Sequence, residues 1–243
     1  MKSLLFLILI NLCLFAKDAK PLLTFKNSYD ILKIVEQYLP VDPVIIEAGA
    51  FKGEDSLRMA KKWKKGKIHS FEPIPDVYTR LKNNTQPYKN IQTYQLAIGQ
   101  TVGVVQMHVS ELSAQPEKSF GSSSLLPPMD HLKHAPHVKF PRTVEVKSST
   151  FDTWANENSI SHVDFMWLDM QGYELNALKA SPKILDTVKV LLTEISFSEV
   201  YEGQHQFAEV KEWLENKGFV LIAIDTKYKW FGDAIFVKKS SIP

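Results

Sequence analysis

The clearest chemistry in this sequence lies in two carboxylates and two glycines. Glu47-Ala48-Gly49-Ala50-Phe51-Lys52-Gly53 sets an acid ahead of glycines four positions apart, and glycine lets backbone approach a ligand closely. A second acid, Glu72, stands 25 residues after Glu47 and directly before Pro73. In a nucleotide-binding α/β sheet a carboxylate there accepts hydrogen bonds from both ribose hydroxyls. The loop lacks the middle glycine of the G-x-G-x-x-G fingerprint, which disfavours a pyrophosphate and hence NAD. The pair points to a nucleoside cofactor without pyrophosphate.

The surrounding pattern supplies elements that would hold these groups in place. Ser28 to Leu39 has helical spacing, ended by Pro40 and Pro43. Val44-Ile45-Ile46 reads as a strand buried on both faces, which implies a parallel sheet. Helix Gly53 to Lys64, strand Lys67 to Glu72, helix Pro75 to Asn84 and strand Ile91 to Ile98 follow, an alternation typical of βαβ units. Pro73 ends its strand and sets Glu72 at the carboxyl edge, where ligands bind in this architecture. Val104 to Val109 and Thr143 to Lys147 read as strands, with Glu111 to Pro141 between them as a long surface loop and candidate lid. Alternation resumes with helix Asp152 to Asn158, strand Val163 to Leu168, helix Glu174 to Ala180, strand Val188 to Ile195 and helix Phe207 to Lys217. Strands Phe219 to Ile224 and Phe231 to Lys238, joined by Asp225 to Lys229, form an antiparallel hairpin at the sheet edge.

Composition narrows the class. The chain has 243 residues, 44% hydrophobic, with 29 Lys+Arg against 27 Asp+Glu; this argues against disorder and gives no electrostatic drive toward nucleic acid. Cys13 is the single cysteine, so the folded part has no disulfide, zinc-cysteine site or cysteine nucleophile. Residues 1–19 have Lys2, an apolar run from Leu4 to Phe15 broken by Asn11, and a polar turn at Lys17-Asp18. That is the layout of a signal peptide or N-terminal signal anchor. It directs the chain to the secretory pathway, exported or held in contact with a membrane, and leaves it cytoplasmic if unused. Cleavage after Ala16 or Ala19 suits the small residues there, and Leu12 ahead of Cys13 argues against lipidation. Residues 20–243 read as one domain.

Several motifs together carry a family likeness. The loop Glu47 to Gly53, Phe71-Glu72-Pro73, Thr150-Phe151-Asp152, the run Asp164 to Glu174 and Thr193-Glu194 resemble, in order and spacing, the FkbM-type S-adenosylmethionine-dependent methyltransferases, over roughly Val44 to Phe236. The resemblance implies the class I methyltransferase fold, a Rossmann-like, doubly wound seven-stranded sheet with an antiparallel last strand. It implies S-adenosylmethionine as cofactor: Gly49, Ala50, Phe51 and Gly53 wrapping the methionine part, Glu47 and Pro73 beside them, Glu72 on the ribose, Ala97 and Ile98 at the adenine. The family pattern Lys-x-Asp-x-Glu-Gly-x-Glu meets a departure here, Trp167 and Gln171 standing at its lysine and first glutamate, so acceptor identity transfers less well than cofactor identity.

Methyl transfer needs alignment, and a hydroxyl acceptor gains from a general base. Asp169 is the favoured base or acceptor-orienting group, with Glu174 and Glu194 as further candidates; Glu174 equally suits a helix N-terminus, where the dipole favours a carboxylate. Asp152 reads as a helix N-cap. On the acceptor side stand Ser123, Gln171, Tyr201 and Gln204. His131, His134 and His137 recur three apart without a clustered carboxylate or cysteine, so no metal site is expected. Trp154, Trp167 and Trp213 read as core. The run Lys61 to Lys67 suits a helix C-terminus with Gly66 as cap, or an anionic surface. Asn83-Asn84-Thr85 is a glycosylation sequon if the chain is secreted in a eukaryote. The expected activity is O-methylation of a sugar or glycoconjugate hydroxyl, with a small-molecule or glycan acceptor as partner. The alternative is an exported, non-catalytic binding protein on the same scaffold, because this cofactor is made in the cytoplasm.

Overall fold

The computed structural model describes residues 22–112, 119–225 and 228–242; the leader with Cys13, residues 113–118 of the long loop and part of the final hairpin turn lie outside them. Asn27 accepts from the N–H groups of Tyr29 and Asp30 and starts helix α1 (Ser28–Val35), whose expected last turn is a separate 3₁₀ turn at Glu36–Tyr38. After it come β1 (Val44–Ala48), α2 (Glu54–Lys62), β2 (Lys67–Phe71), α3 (Pro75–Thr85), β3 (Ile91–Tyr94), β4 (Ala97–Ile98), β5 (Gly103–Glu111) and α4 (His131–His134). The chain continues through β6 (Lys139–Ser149), α5 (Phe151–Glu157), β7 (Phe165–Leu168), α6 (Glu174–Lys179), α7 (Pro182–Thr187), β8 (Val190–Ser196), α8 (Phe207–Asn216), β9 (Phe219–Asp225) and β10 (Phe231–Lys238).

Seven strands form one sheet in the order β3-β2-β1-β7-β8-β10-β9. The first five pair in parallel and β10 runs antiparallel to both its neighbours, as expected. Strand order reverses between β1 and β7, which opens a crevice at their carboxyl ends. Alternate residues of the central strands feed two cores. Ile45, Phe165, Val190 and Ile235 pack under α1 and α2 with Leu32, Val35, Met59 and Trp63. Ile46, Met166, Leu191 and Phe236 face the other side, against Trp154, Leu178, Leu185 and Leu214. Period-two alternation between two apolar faces is why these strands read as continuous hydrophobic runs. Leu23 lies beside β9, its N–H donating to the Ile222 carbonyl and its carbonyl accepting from Ile224, so the outer edge of the sheet is partly covered.

Three local readings need correction. The strand expected over Ile91 to Ile98 is two strands: β3 ends the main sheet, while β4 turns into a second sheet of order β4-β6-β5. Tyr94 stacks on Phe71, whereas Ala97 packs with Ile74, Val77, Met107 and Val146, so one apolar run serves two cores. The region Glu111 to Pro141 is not a free surface loop in its described part. Lys139 to Pro141 belong to β6, Ser124 and His108 exchange backbone hydrogen bonds at 2.8 and 3.1 Å, and Ser123, Ser124, His131, Ala135 and Val138 are buried. Its serines bond inward to backbone, as where Ser124 Oγ donates to the Gln171 carbonyl at 2.7 Å, which a polar composition does not distinguish from solvation. Finally, Thr150 rather than Asp152 caps α5, its Oγ1 accepting from Thr153 N–H at 3.0 Å. Asp152 instead accepts from Lys183 and Ile184 N–H and so caps α7, a helix the sequence reading omitted.

Candidate functional site

The crevice at the β1/β7 switch is built by backbone before any side chain enters it. Gly49 has φ +86°, and a Cβ there would sit 1.8 Å from the Asp169 carbonyl oxygen; the loops after β1 and β7 cross with no room for a side chain. Gly49 and Ala50 N–H both donate to the Phe71 carbonyl, at 3.2 and 2.9 Å, which ties in β2. Phe51 is held at φ +49°, a conformation costly for a bulky residue and typical of ligand-clamping turns.

Of the residues assigned to the cofactor, Glu47, Gly49, Ala50, Phe51, Glu72, Pro73, Ala97 and Ile98 line one cavity of about 230 Å³. Gly53 is the exception. It precedes α2 at φ +88°, and a Cβ there would meet Leu81 at 2.8 Å and Thr85 at 2.9 Å, so its part is to seat α2 against α3.

The two acids expected near the cofactor differ in what they face. Glu47, 3% exposed, accepts from the hydroxyls of Ser56 and Ser70; burial raises it to about 8 against those two bonds. Glu72, 6% exposed, accepts from Ile74 N–H at 2.9 Å through Oε1. Burial raises it also to about 8, with Asp169 adding to the rise and the Ile74 and Phe51 N–H groups opposing it. A ribose donating two hydroxyls would stabilise its ionised form.

Asp169 stands at the wall between this cavity and a second one, also of about 230 Å³. Its carboxylate is open to the crevice, yet the enclosing protein raises it above the ordinary range, with Asp55 adding to the rise and the Gln171 amide opposing it. Gln171 Nε2 donates to Asp169 Oδ1 at 2.7 Å and lies 3.3 Å from Glu194 Oε2, while its Oε1 is 2.9 Å from the Tyr201 hydroxyl. The amide separates two carboxylates that a glutamate at 171 would crowd with a third, a physical reason for the departure from the family pattern. Trp167 is buried beside Phe165, in the core under α1 and α2.

Glu174 lines neither cavity. Its Oε1 accepts from Met170 N–H at 2.7 Å and Gly172 N–H at 3.3 Å, so it fixes the turn that carries Asp169 and Gln171. The catalytic part considered for it gives way to this positioning part. Burial raises it to about 7. Glu194 does line the second cavity, and burial, then Asp169, Glu174 and Asp233, push it well above its usual range.

Tyr201 and Gln204 also line the second cavity, and Ser123 lines the first. Sequence reasoning missed Trp230 and Phe231, which follow the final turn, and gave His131 no place among the acceptor-side residues; all three line the second cavity. Only their position after strands or in the loop beside the sheet edge hinted at this. The three loop histidines diverge: His131 is buried, His134 stacks on Trp230 with centroids 5.0 Å apart, and His137 is exposed. Among the described residues no group of three or more His, Cys, Asp and Glu is arranged to hold a metal ion. In the lysine run, Lys62 pairs with Glu36 and Trp63 is buried.

So many raised acids give stability a defined pH dependence. Glu47 and Glu72 at about 8, and Glu174 and Asp233 at about 7, hold protons more tightly folded than unfolded, so their contribution falls as pH rises through that range. His69, lowered by burial to about 4, acts in the opposite direction, but only up to its unfolded value of about 6.5. Above that point the acids act alone, and Tm is expected to fall between pH 6.5 and 8.5. A flat or rising Tm across that interval in thermal scans would contradict these assignments.

Residues 47–221 match the family model described as the methyltransferase FkbM domain. The chain is 28% identical over 204 residues to 2-O-methyltransferase NoeI of Sinorhizobium fredii, covering 84% of this chain and 82% of that protein. It is 24% identical over 216 residues to methyltransferase sdnD of Sordaria araneosa, covering 79% and 78%. Among solved structures, the N-terminal domain of EvdMO1, crystallised in the presence of SAH and D-fucose, aligns with TM-score 0.50 at 11% identity over 88% of this chain and 83% of that one, which speaks to the fold.

Proposed function

The chain belongs to the FkbM methyltransferase family and is an S-adenosylmethionine-dependent methyltransferase; from that premise we propose that it methylates a hydroxyl of a sugar or glycoconjugate. The observation that carries this is the pair of adjoining cavities with Asp169 and Gln171 on their common wall. NoeI, named a 2-O-methyltransferase, supports oxygen as the acceptor atom. S-adenosylmethionine would fit the first cavity, whose lining includes Gly49, Ala50, Phe51 and Glu72, and the Glu72 carboxylate would accept from the two hydroxyls of its ribose.

When bound, S-adenosylmethionine supplies a methyl group on a sulfonium sulfur, which departs with the carbon–sulfur electron pair as the acceptor oxygen attacks. Asp169 takes the proton from that oxygen. Its proton affinity, raised by the enclosing protein, makes it a stronger base than a free carboxylate, and the Gln171 amide holds the carboxylate in place. Glu194 and Tyr201 line the acceptor cavity, while Glu174 keeps the Asp169 turn in register from behind. The non-catalytic alternative finds no support in this site.

Incubation with methyl-labelled cofactor and a panel of neutral and amino sugars should put the label on oxygen. A folded protein that binds S-adenosylhomocysteine but labels only nitrogen or carbon would overturn the proposal. The leader belongs to the proposal too: Lys2 and the apolar run to Phe15 support delivery to the secretory route or a membrane anchor. Recovery of a full-length tagged chain in the soluble cytoplasm alone would refute that part.

A further inference from the structure

The second cavity combines carboxylates with aromatic rings, and among the described residues no balancing cation lines it. Asp169 and Glu194 line it, together with Tyr201, Trp230, Phe231 and His131. Among the described residues no lysine or arginine lines either cavity. Two acids kept close in a partly desolvated space are costly unless a cation joins them, and aromatic faces attract the same kind of group. His131 adds an independent mark. It is 3% exposed, and its Nδ1 has no hydrogen-bond partner, while Phe140, Tyr201 and Trp230 surround the ring at centroid separations of 5.2 to 6.1 Å. Burial keeps that imidazole neutral to lower pH than usual, and its unpaired ring nitrogen is open to a hydrogen-bond partner. Unpaired buried polar atoms are uncommon and call for a partner.

Resting on the methyltransferase reading, we propose that the acceptor carries a protonated amine, as an amino sugar does, and that Asp169 and Glu194 with the Trp230 face recognise that amine. The same features reject phosphorylated, sulfated or uronic acceptors, for which Asp169 and Glu194 of the described lining offer only like charge. They also separate a free amine from its N-acetyl form, which keeps the ring and its hydroxyls but not the positive charge. Burial and the neighbouring carboxylates raise the Glu194 carboxyl and an ammonium beside it lowers it, so binding of the amine shifts a proton toward buffer and binding of a neutral sugar does not.

The test is calorimetric titration of the full-length protein, saturated with S-adenosylhomocysteine, with D-glucosamine, N-acetyl-D-glucosamine and D-glucuronic acid. Glucosamine is expected to bind about tenfold more tightly than its N-acetyl form, with no binding of glucuronic acid. Its heat should depend on the ionisation enthalpy of the buffer. Trp230→Ala and Glu194→Gln are each expected to bring the two sugars to within about twofold, with the affinity for S-adenosylhomocysteine unchanged as evidence of an intact fold. Equal affinity for the amine and its N-acetyl form, or no binding of the amine by the loaded protein, overturns the proposal. Failure to bind S-adenosylhomocysteine at all would instead overturn the methyltransferase reading beneath it.

Discussion

Asp169→Asn is expected to lower kcat by about 10²- to 10⁴-fold, the range of a lost general base, with S-adenosylhomocysteine affinity within about threefold of the parent. The substitution is conservative in space. Asparagine keeps an oxygen for the Gln171 amide that now donates to Oδ1 at 2.7 Å, and the backbone N–H of residue 169 still donates to the Ala48 carbonyl at 2.9 Å. What disappears is the ability to take a proton from the acceptor. Because the Asp169 carboxyl is raised by its surroundings, the parent enzyme should lose kcat on acidification as it becomes protonated, and the variant should lose that limb of the profile. A kcat within fivefold of the parent would remove Asp169 from the role and leave Glu194, the other acid of the acceptor cavity, as the base.

Glu72→Ala should act on binding instead. Two hydrogen bonds from ribose hydroxyls to a carboxylate are worth roughly 1.5–3 kcal/mol each, so their loss predicts a Kd for S-adenosylhomocysteine larger by about 10²- to 10⁴-fold. Stability should change in the other direction or little. The alanine removes a buried acid held up to about 8, against the loss of one hydrogen bond from Ile74 N–H. Calorimetry beside a thermal scan separates these effects. A folded variant that binds within threefold of the parent would mean that the ribose is held elsewhere. Glu72→Gln, which keeps an oxygen toward Ile74 but lacks charge, should fall between the two.

The asymmetry of the two acids after β1 and β2 shows how far local reading reaches. Spacing singles out both Glu47 and Glu72, and both line the first cavity. Only the structure separates them, because Glu47 is engaged by Ser56 and Ser70, residues 9 and 23 positions away. Gln171 is similar: its departure from the family pattern is visible in the chain, but its reason lies in Glu194 and Tyr201, 23 and 30 positions on.

The sequence by itself determined the alternation of strands and helices, the parallel centre of the sheet, the antiparallel close and the placing of Gly49 and Glu72 at the carboxyl edge that lines the first cavity. These are local properties: hydrophobic period, Pro and Gly punctuation, and a carboxylate placed by a strand end. Tertiary structure alone decided that Ala97 and Ile98 leave the main sheet, that Glu111 to Pro141 packs over the crevice in its described part, and that Glu174 points away from it. It also brought His131, Gln171, Tyr201 and Trp230 to one cavity. The requirement for glycine at 49 comes from the carbonyl of Asp169, 120 positions further on. Periodicity records which residues a segment must bury, whereas the group that buries them, and the space left between, depend on chain crossings that no local pattern encodes.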